Sequence, residues 1–128
     1  MEINFLAAFI ASLTGLVLGY LWYSVIFAKA WQKLSGVTDA QMNKGVAQRI
    51  IGSYLITLFM SLNLAAFIGA DADPMFGLFA GFAAGFGWVA LAFGQNYMFE
   101  HKPFKLFLIN GGYNTVLLSL IGLIIGAF

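Results

Sequence analysis

The sequence predicts an all-α, membrane-spanning four-helix bundle, and its composition and the spacing of its charges lead to that prediction. Of the 128 residues, 62% are hydrophobic and 9% are charged, whereas soluble domains are about 45–50% apolar and about 25% charged. A soluble domain of this size leaves too much of its surface in water to hide so many apolar side chains. The lipid bilayer is the solvent that fits this composition.

Four long uncharged stretches separate the charged residues, at positions 3–28, 50–70, 74–99 and 106–128. About 20 helical residues cross a hydrocarbon core of about 30 Å, so each stretch can cross once and none can cross twice. Strands of a membrane barrel would instead alternate over about ten residues. We therefore predict one transmembrane domain, residues 1–128, with helical spans at about 3–28, 48–70, 74–99 and 104–128.

Local signals mark where several helices begin. Asp73 followed by Pro74 is an N-cap with proline at the first helical position, and Pro103 is expected to act like Pro74 at the fourth span. The segment from Thr38 to Gln41 has the form of a capping box, which predicts a short helix in the first loop. The other loops are short, so consecutive spans are expected to be antiparallel neighbours.

The basic residues indicate the orientation. All six lie on the first and third loops, which four crossings place on one side of the membrane: Lys29, Lys33, Lys44, Arg49, Lys102 and Lys105. The opposite side holds Glu2, Asp71 and Asp73. By the positive-inside rule, the basic loops are cytoplasmic and both termini lie on the non-cytoplasmic side.

Small residues recur at close to four-residue spacing on three of the predicted spans. They are Ala7, Ala11, Gly15 and Gly19 on the first span, Gly77, Gly81 and Gly85 on the third, and Thr115, Ser119, Gly122 and Gly126 on the fourth. Such stripes let helix backbones approach closely in lipid. This favours contacts within one bundle, although one stripe could instead face a second copy of the chain.

Uncharged polar residues gather in the cytoplasmic third of the membrane. The candidate site residues are Tyr23, Asn96, Asn110, Tyr113 and Asn114. Asn110, Tyr113 and Asn114 share one face of the fourth span, while Asn96 is expected to point inward and Asn114 to contact Asn96 or Tyr23. Amides in hydrocarbon need partners, so hydrogen bonds between helices are the favoured interpretation. A small polar pocket is the alternative.

Several function classes find no support in the sequence. There is no cysteine for a disulfide, a thiolate metal site or a thiol nucleophile, and a net charge of +1 gives no basic field for nucleic acid. Charged residues are missing from the middle of every span, which argues against a proton-coupled pump. The adjacent Glu100 and His101 form neither a metal site nor a catalytic triad. We expect no enzyme activity, no metal and no cofactor.

The chain resembles a small bacterial membrane family, "domain of unknown function seventeen sixty-one". The residues that carry the resemblance are Leu21, Trp22, Tyr23, Ser24, Ala28, Lys29, Ala30, Trp31, Asn96, Phe99, Glu100, Pro103, Leu106, Gly112, Tyr113, Gly122 and Gly126. At Val25 and Asn114 the sequence departs from the family pattern, which usually has proline and commonly has histidine there. The resemblance covers essentially the whole chain and implies a fold, a topology and a bacterial inner-membrane location, but no activity.

Two functional hypotheses follow from these observations. The first is a structural or assembly element that acts through helix–helix contacts, as a homo-oligomer among membrane lipids, because short loops leave little mass outside the membrane. The second is a protein that binds or transports a small molecule or lipid through a polar pocket in the cytoplasmic third of the membrane.

Overall fold

The computed structural model describes residues 2–128, so residue 1 of the predicted domain lies outside the described residues. Within this range the chain is helical and contains no strand, which confirms the all-α prediction. Four helices are long and apolar enough to cross a membrane, and they are called spans 1 to 4 in chain order. They are Phe5–Ile26, Val46–Ile68, Pro74–Glu100 and Phe104–Ala127.

Spans 1 and 3 each contain a widened π-helical turn, whereas spans 2 and 4 are continuous α-helices. Span 1 consists of α-helices Phe5–Ser12 and Thr14–Tyr20 followed by the π-helical segment Leu21–Ile26. Span 3 consists of Pro74–Ala84, the π-helical segment Gly85–Ala90 and Leu91–Glu100. Because a π-helical turn holds an extra residue, the helix faces before and after it are out of register.

Two short helices, Ala28–Ser35 and Asp39–Met42, connect spans 1 and 2. The predicted capping box is present: Thr38 Oγ1 accepts from the Gln41 amide at 3.2 Å, and Gln41 Oε1 accepts from the Thr38 amide at 2.9 Å. The helix Ala28–Ser35 was not expected. Gly36 follows its last residue as the C-cap, and its φ of 79° is a left-handed conformation that glycine adopts without steric cost.

The two prolines begin their spans differently. Asp73 accepts a hydrogen bond from the Phe76 amide at 2.7 Å and Pro74 is the first helical residue, as predicted. Pro103 instead precedes its helix, which begins at Phe104, and has an extended backbone (φ −68°, ψ 148°). The prediction that Pro103 acts like Pro74 is therefore wrong. The three-residue connection 101–103 makes spans 3 and 4 antiparallel neighbours.

Spans 3 and 4 pack backbone against backbone along the predicted glycine stripe. A Cβ atom added to Gly77 would lie 2.0 Å from the Gly122 carbonyl oxygen, and one added to Gly81 would lie 2.0 Å from that of Leu118. At Gly85 the corresponding distance, to the Asn114 carbonyl oxygen, is 2.7 Å. No side chain fits at these positions, so the contact requires glycine.

Gly15, Gly19 and Gly126, the other glycines of the predicted stripes, also lie against other parts of the same bundle. A Cβ atom on Gly15 would lie 2.9 Å from Thr57 Cγ2 of span 2, and one on Gly19 would lie 3.3 Å from the Tyr113 hydroxyl of span 4. On Gly126 it would meet the Asp73 carbonyl oxygen. The stripes on spans 1, 3 and 4 are therefore occupied by contacts within one bundle.

The hydrophobic core is concentrated toward the end of the bundle that carries the termini. Its buried members are Ala7, Ala8, Ala11, Leu64, Ala65, Ile68, Leu117, Leu118, Ile121 and Ile125. The opposite end, formed by loops 27–45 and 101–103, is called the basic end. Span 2 has its buried residues from Thr57 onward, while Ile50 and Ile51 near its start are more than half exposed. Span 2 therefore leaves the core as it approaches the basic end.

Candidate ligand-binding groove and its polar wall

One asparagine joins three spans near the basic end. The Tyr23 hydroxyl of span 1 donates to Asn110 Oδ1 at 2.7 Å, and Asn110 Nδ2 donates to the Tyr97 hydroxyl of span 3 at 2.6 Å. The Asn110 amide thus has both a donated and an accepted hydrogen bond between helices. Such bonds hold spans together where water is absent.

Tyr97 occupies the inward position that the sequence assigned to Asn96. Asn96 is exposed, so its predicted inward orientation is wrong. In a regular α-helix, a residue 11 positions after Gly85 lies on the same face as Gly85, and that residue is Asn96. The π-helical turn Gly85–Ala90 inserts one residue and moves that face to position 97. Ala90 agrees with the new register: it is only 2% exposed, and a Cβ atom added to Gly111 of span 4 would lie 3.1 Å from the Ala90 Cβ atom.

Aromatic side chains connect span 1 to span 4 beside this hydrogen-bonded network. Trp22 Nε1 donates to the Ile109 carbonyl at 2.9 Å, and the Tyr113 hydroxyl donates to the Gly15 carbonyl at 3.3 Å. The rings of Tyr23 and Tyr113 lie 5.1 Å apart between centroids. Trp22 is absent from the predicted candidate set, although the π-helical segment brings it to the same interface. Its position at a span end is equally typical of a residue in the interfacial aromatic belt.

Asn114 makes a different contact from the one predicted. Its Nδ2 donates to the Asn110 carbonyl at 3.0 Å, within span 4. A short polar side chain inside a helix reaches the carbonyl four residues earlier. The Tyr23 hydroxyl already donates to Asn110, and Asn96 points away, so the predicted contact of Asn114 with Tyr23 or Asn96 is not formed.

A groove of about 580 Å³ lies between spans 2 and 4, where span 2 leaves the core. Its polar wall consists of Tyr23, Gln48, Arg49, Ser53, Tyr113 and Asn114. Its far end is more apolar, with Ile56, Met60 and Leu117. Of the predicted candidates, Tyr23, Tyr113 and Asn114 line this groove, Asn110 contributes to the hydrogen-bonded network behind it, and Asn96 lies elsewhere.

The groove runs along span 2, and the polarity of the residues that line it changes from one end to the other. Met60 lies 11 positions after Arg49, which corresponds to roughly 16 Å of helix. Gly52 contributes no side chain, and a Cβ atom there would meet nothing within 4 Å. Thr57 turns its hydroxyl onto the Ser53 carbonyl at 3.0 Å, so its polarity is satisfied within span 2. The groove therefore passes from a polar, positively charged mouth at the basic end to an apolar interior.

The described residues hold no group of three or more His, Cys, Asp or Glu side chains that could bind a metal ion. The groove lining itself contains hydroxyls, amides, one guanidinium and aliphatic groups. These groups can hydrogen-bond, attract an anion and cover an apolar chain.

Four apolar helices of membrane-crossing length, with spans 3 and 4 packed through glycine, are compatible with a multi-pass helical membrane protein. The chain belongs to the family described as "Protein of unknown function (DUF1761)", which matches residues 6–126. This confirms the family predicted from the sequence. Comparison with curated proteins and with solved structures gave no match.

Proposed function

We propose that this protein is a multi-pass inner-membrane protein of bacterial type that binds an amphiphilic small molecule or lipid in the groove between spans 2 and 4. The observation that carries the proposal is the departure of span 2 from the core at the end where the polar side chains lie. Because span 2 leaves the core there, the groove is open to its surroundings along one side and can admit an elongated molecule. Ligand sites commonly measure about 300–1,000 Å³, a range that includes this groove.

Hydrogen-bonding capacity on the groove wall supports a ligand rather than simple packing. Asn114 uses one amide hydrogen on the Asn110 carbonyl, and an asparagine side chain has a second donor and an acceptor oxygen. In hydrocarbon such groups are costly unless they are paired. A polar group of a ligand or a water molecule would satisfy them. Asn110, by contrast, is paired on both sides and acts as a structural link.

The contacts at the basic end support a cytoplasmic position for the groove. Trp22 bonds to Ile109, and Tyr23 bonds to Asn110, so the ends of spans 1 and 4 that carry the basic loops lie at one level. Arg49 and Tyr23 line the same groove at that level. Under the positive-inside rule, this end faces the cytoplasm and both termini face the other side.

Binding or passage is proposed instead of catalysis because of the chemistry of the lining. Its residues include no carboxylate, imidazole or thiol that could serve as a general base or nucleophile. The groove is also open along its side, which suits a molecule that enters from the bilayer.

The proposal is tested by a substitution that fills part of the groove with a side chain. Gly52→Leu places a side chain in the open space beside span 2, whereas Gly87→Leu, also at a position where a Cβ atom meets nothing within 4 Å, places one outside the groove. Each protein would be purified in a maltoside detergent, incubated with polar lipid extract and analysed by native mass spectrometry. We expect Gly52→Leu to retain fewer lipids, with Gly87→Leu equal to the unaltered protein. Equal retention by all three would contradict the proposal.

A structural, homo-oligomeric role is the second candidate, and Asn63 is the observation that favours it. Its side chain is exposed on the outer face of span 2, near Phe59 and Phe67, which are 67% and 72% exposed. It lies five residues, or roughly 7–8 Å, before the end of the helix. An amide can pair reciprocally with the same amide of a second copy, and interhelical hydrogen bonds of this kind stabilise association in lipid.

Disulfide cross-linking tests the oligomer directly because the chain has no native cysteine. We expect Phe59→Cys to form dimers in membranes and the double variant with Asn63→Leu to form fewer. Dimer formation that is unchanged by Asn63→Leu, or no dimer at all, would contradict this second candidate.

A further inference from the structure

We infer that the ligand of the groove is an acyl-chain amphiphile with an anionic carboxylate or phosphate head, held by Arg49. The inference rests on the proposed function, since it names the ligand class of the same groove. The head would lie at the basic end beside Arg49 and Gln48. The chain would lie against Ile56, Met60 and Leu117.

Arg49 is positioned at the groove mouth by a backbone contact. Its Nη2 donates to the carbonyl of Met42, the last residue of the short helix Asp39–Met42. That acceptor is neutral, so the contact orients the guanidinium without compensating its charge. A guanidinium has five N–H donors in a rigid fork that matches carboxylate and phosphate oxygens. The remaining donors of Arg49 are suited to a negatively charged head.

The surrounding charges favour an anion. Asp39, the acidic residue of the connecting segment, accepts a hydrogen bond from Gln32 Nε2 at 2.6 Å. Three of the other acidic residues, Glu2, Asp71 and Asp73, lie at the opposite end of the molecule, and Glu100, at the end of span 3, lies outside the groove lining. Span 2 also begins at Val46 without a side-chain cap, so the positive end of its helix dipole adds to the charge of Arg49.

The distribution of polarity along the groove favours an amphiphile over a free anion. A small anion would need polar contacts on several sides, whereas the groove continues for roughly 16 Å along span 2 toward aliphatic side chains. An acyl chain that leaves the bilayer can cover these side chains while its head remains at the membrane surface. Anionic lipids of the cytoplasmic leaflet are attracted to basic segments in the same way.

The experiment compares two lipids that carry the same phosphate but differ in the net charge of the head, which is negative in phosphatidylglycerol and zero in phosphatidylcholine. The purified protein is incubated with an equimolar mixture of dioleoyl phosphatidylglycerol and dioleoyl phosphatidylcholine, and native mass spectrometry measures the ratio bound. We expect the unaltered protein to prefer phosphatidylglycerol. We expect Arg49→Gln to reduce this preference about tenfold or more, because it removes a hydrogen bond to a charged group. Lys44→Gln, which removes a charge outside the groove lining, should keep most of the preference.

The possible results separate this inference from the proposed function. If the unaltered protein binds both lipids equally, or if Arg49→Gln keeps its preference, the anionic head is wrong, and a loss of both lipids in Gly52→Leu would still support the groove. If Lys44→Gln loses as much preference as Arg49→Gln, general surface charge explains the selectivity and the assignment to Arg49 is wrong. If Gly52→Leu binds both lipids as the unaltered protein does, the proposed function itself fails.

Discussion

Replacement of Gly81 by alanine tests the contact that holds spans 3 and 4 together. The added Cβ atom would lie 2.0 Å from the Leu118 carbonyl oxygen and 3.0 Å from the Ser119 Cα atom. Both neighbours are backbone atoms, so no side-chain rotation can relieve the overlap. The two helices must therefore separate.

The size of the separation gives the magnitude of the effect. Carbon–oxygen contacts between helices have ordinary distances of about 3.3–3.6 Å, so the backbones must move apart by roughly 1.3–1.6 Å at this level. Gly77 and Gly85 lie on the same stripe, and their contacts with span 4 would open as well. A gap of about 0.5–1 Å already loses a quarter to a half of each dispersion contact. We expect Gly81→Ala to lower the free energy of unfolding by about 1–3 kcal/mol, as overpacked cores do.

Gly87→Ala is the matched control because it makes the same change on the same span with no neighbour within 4 Å. Its effect should stay within about 0.5 kcal/mol, as for surface substitutions. Reversible unfolding of both variants in mixed micelles, followed by circular dichroism, measures the difference. Equal stability of Gly81→Ala and the unaltered protein would refute the close approach of spans 3 and 4.

Three further predictions test the polar network and the topology. Asn110→Leu leaves two tyrosine hydroxyls without their amide partner and should lower the free energy of unfolding by about 1–2 kcal/mol in the same assay; a neutral effect would contradict its role as a link between spans. Tyr97→Phe should also be destabilising, by about 0.6 kcal/mol or more, while Asn96→Ala should leave the stability unchanged. A larger loss of stability from Asn96→Ala than from Tyr97→Phe would contradict the shift of the inward face to position 97. A cysteine at Lys33 should resist membrane-impermeant thiol reagents in whole cells and one at Asp71 should react; the opposite labelling pattern would invert the proposed orientation.

The sequence predicts the helices well because the signals for them are local. Charge-free stretches of sufficient length predict four apolar helices of membrane-crossing length, and the structure has them. The Asp73–Pro74 pair and the Thr38 capping box also form as predicted, since each depends on residues within one turn. Small residues on three spans indicate close approach, and the structure shows which atoms each stripe meets.

The π-helical turns account for the main difference in the site. Position 96 follows from a regular 3.6-residue period, and nothing in the sequence around Gly85 signals an extra residue in the turn. The π-helical segment packs against span 4, and such a contact between two helices is not contained in a local sequence pattern. The groove is equally non-local, because it depends on the direction in which span 2 leaves the core. Hydropathy gives the length of a span but does not give its tilt.

Photo-crosslinking from within the membrane tests the central claim, that the groove between spans 2 and 4 holds an amphiphile, most directly. Membranes containing the protein would receive palmitic acid with a diazirine in its chain, and mass spectrometry of proteolytic peptides would locate the adducts. The structure predicts adducts concentrated on the groove residues Met60 and Leu117, with loss of these adducts in Gly52→Leu but not in Gly87→Leu. Adducts spread evenly over outward-facing side chains such as Phe59 and Phe67, and unaffected by Gly52→Leu, would contradict it.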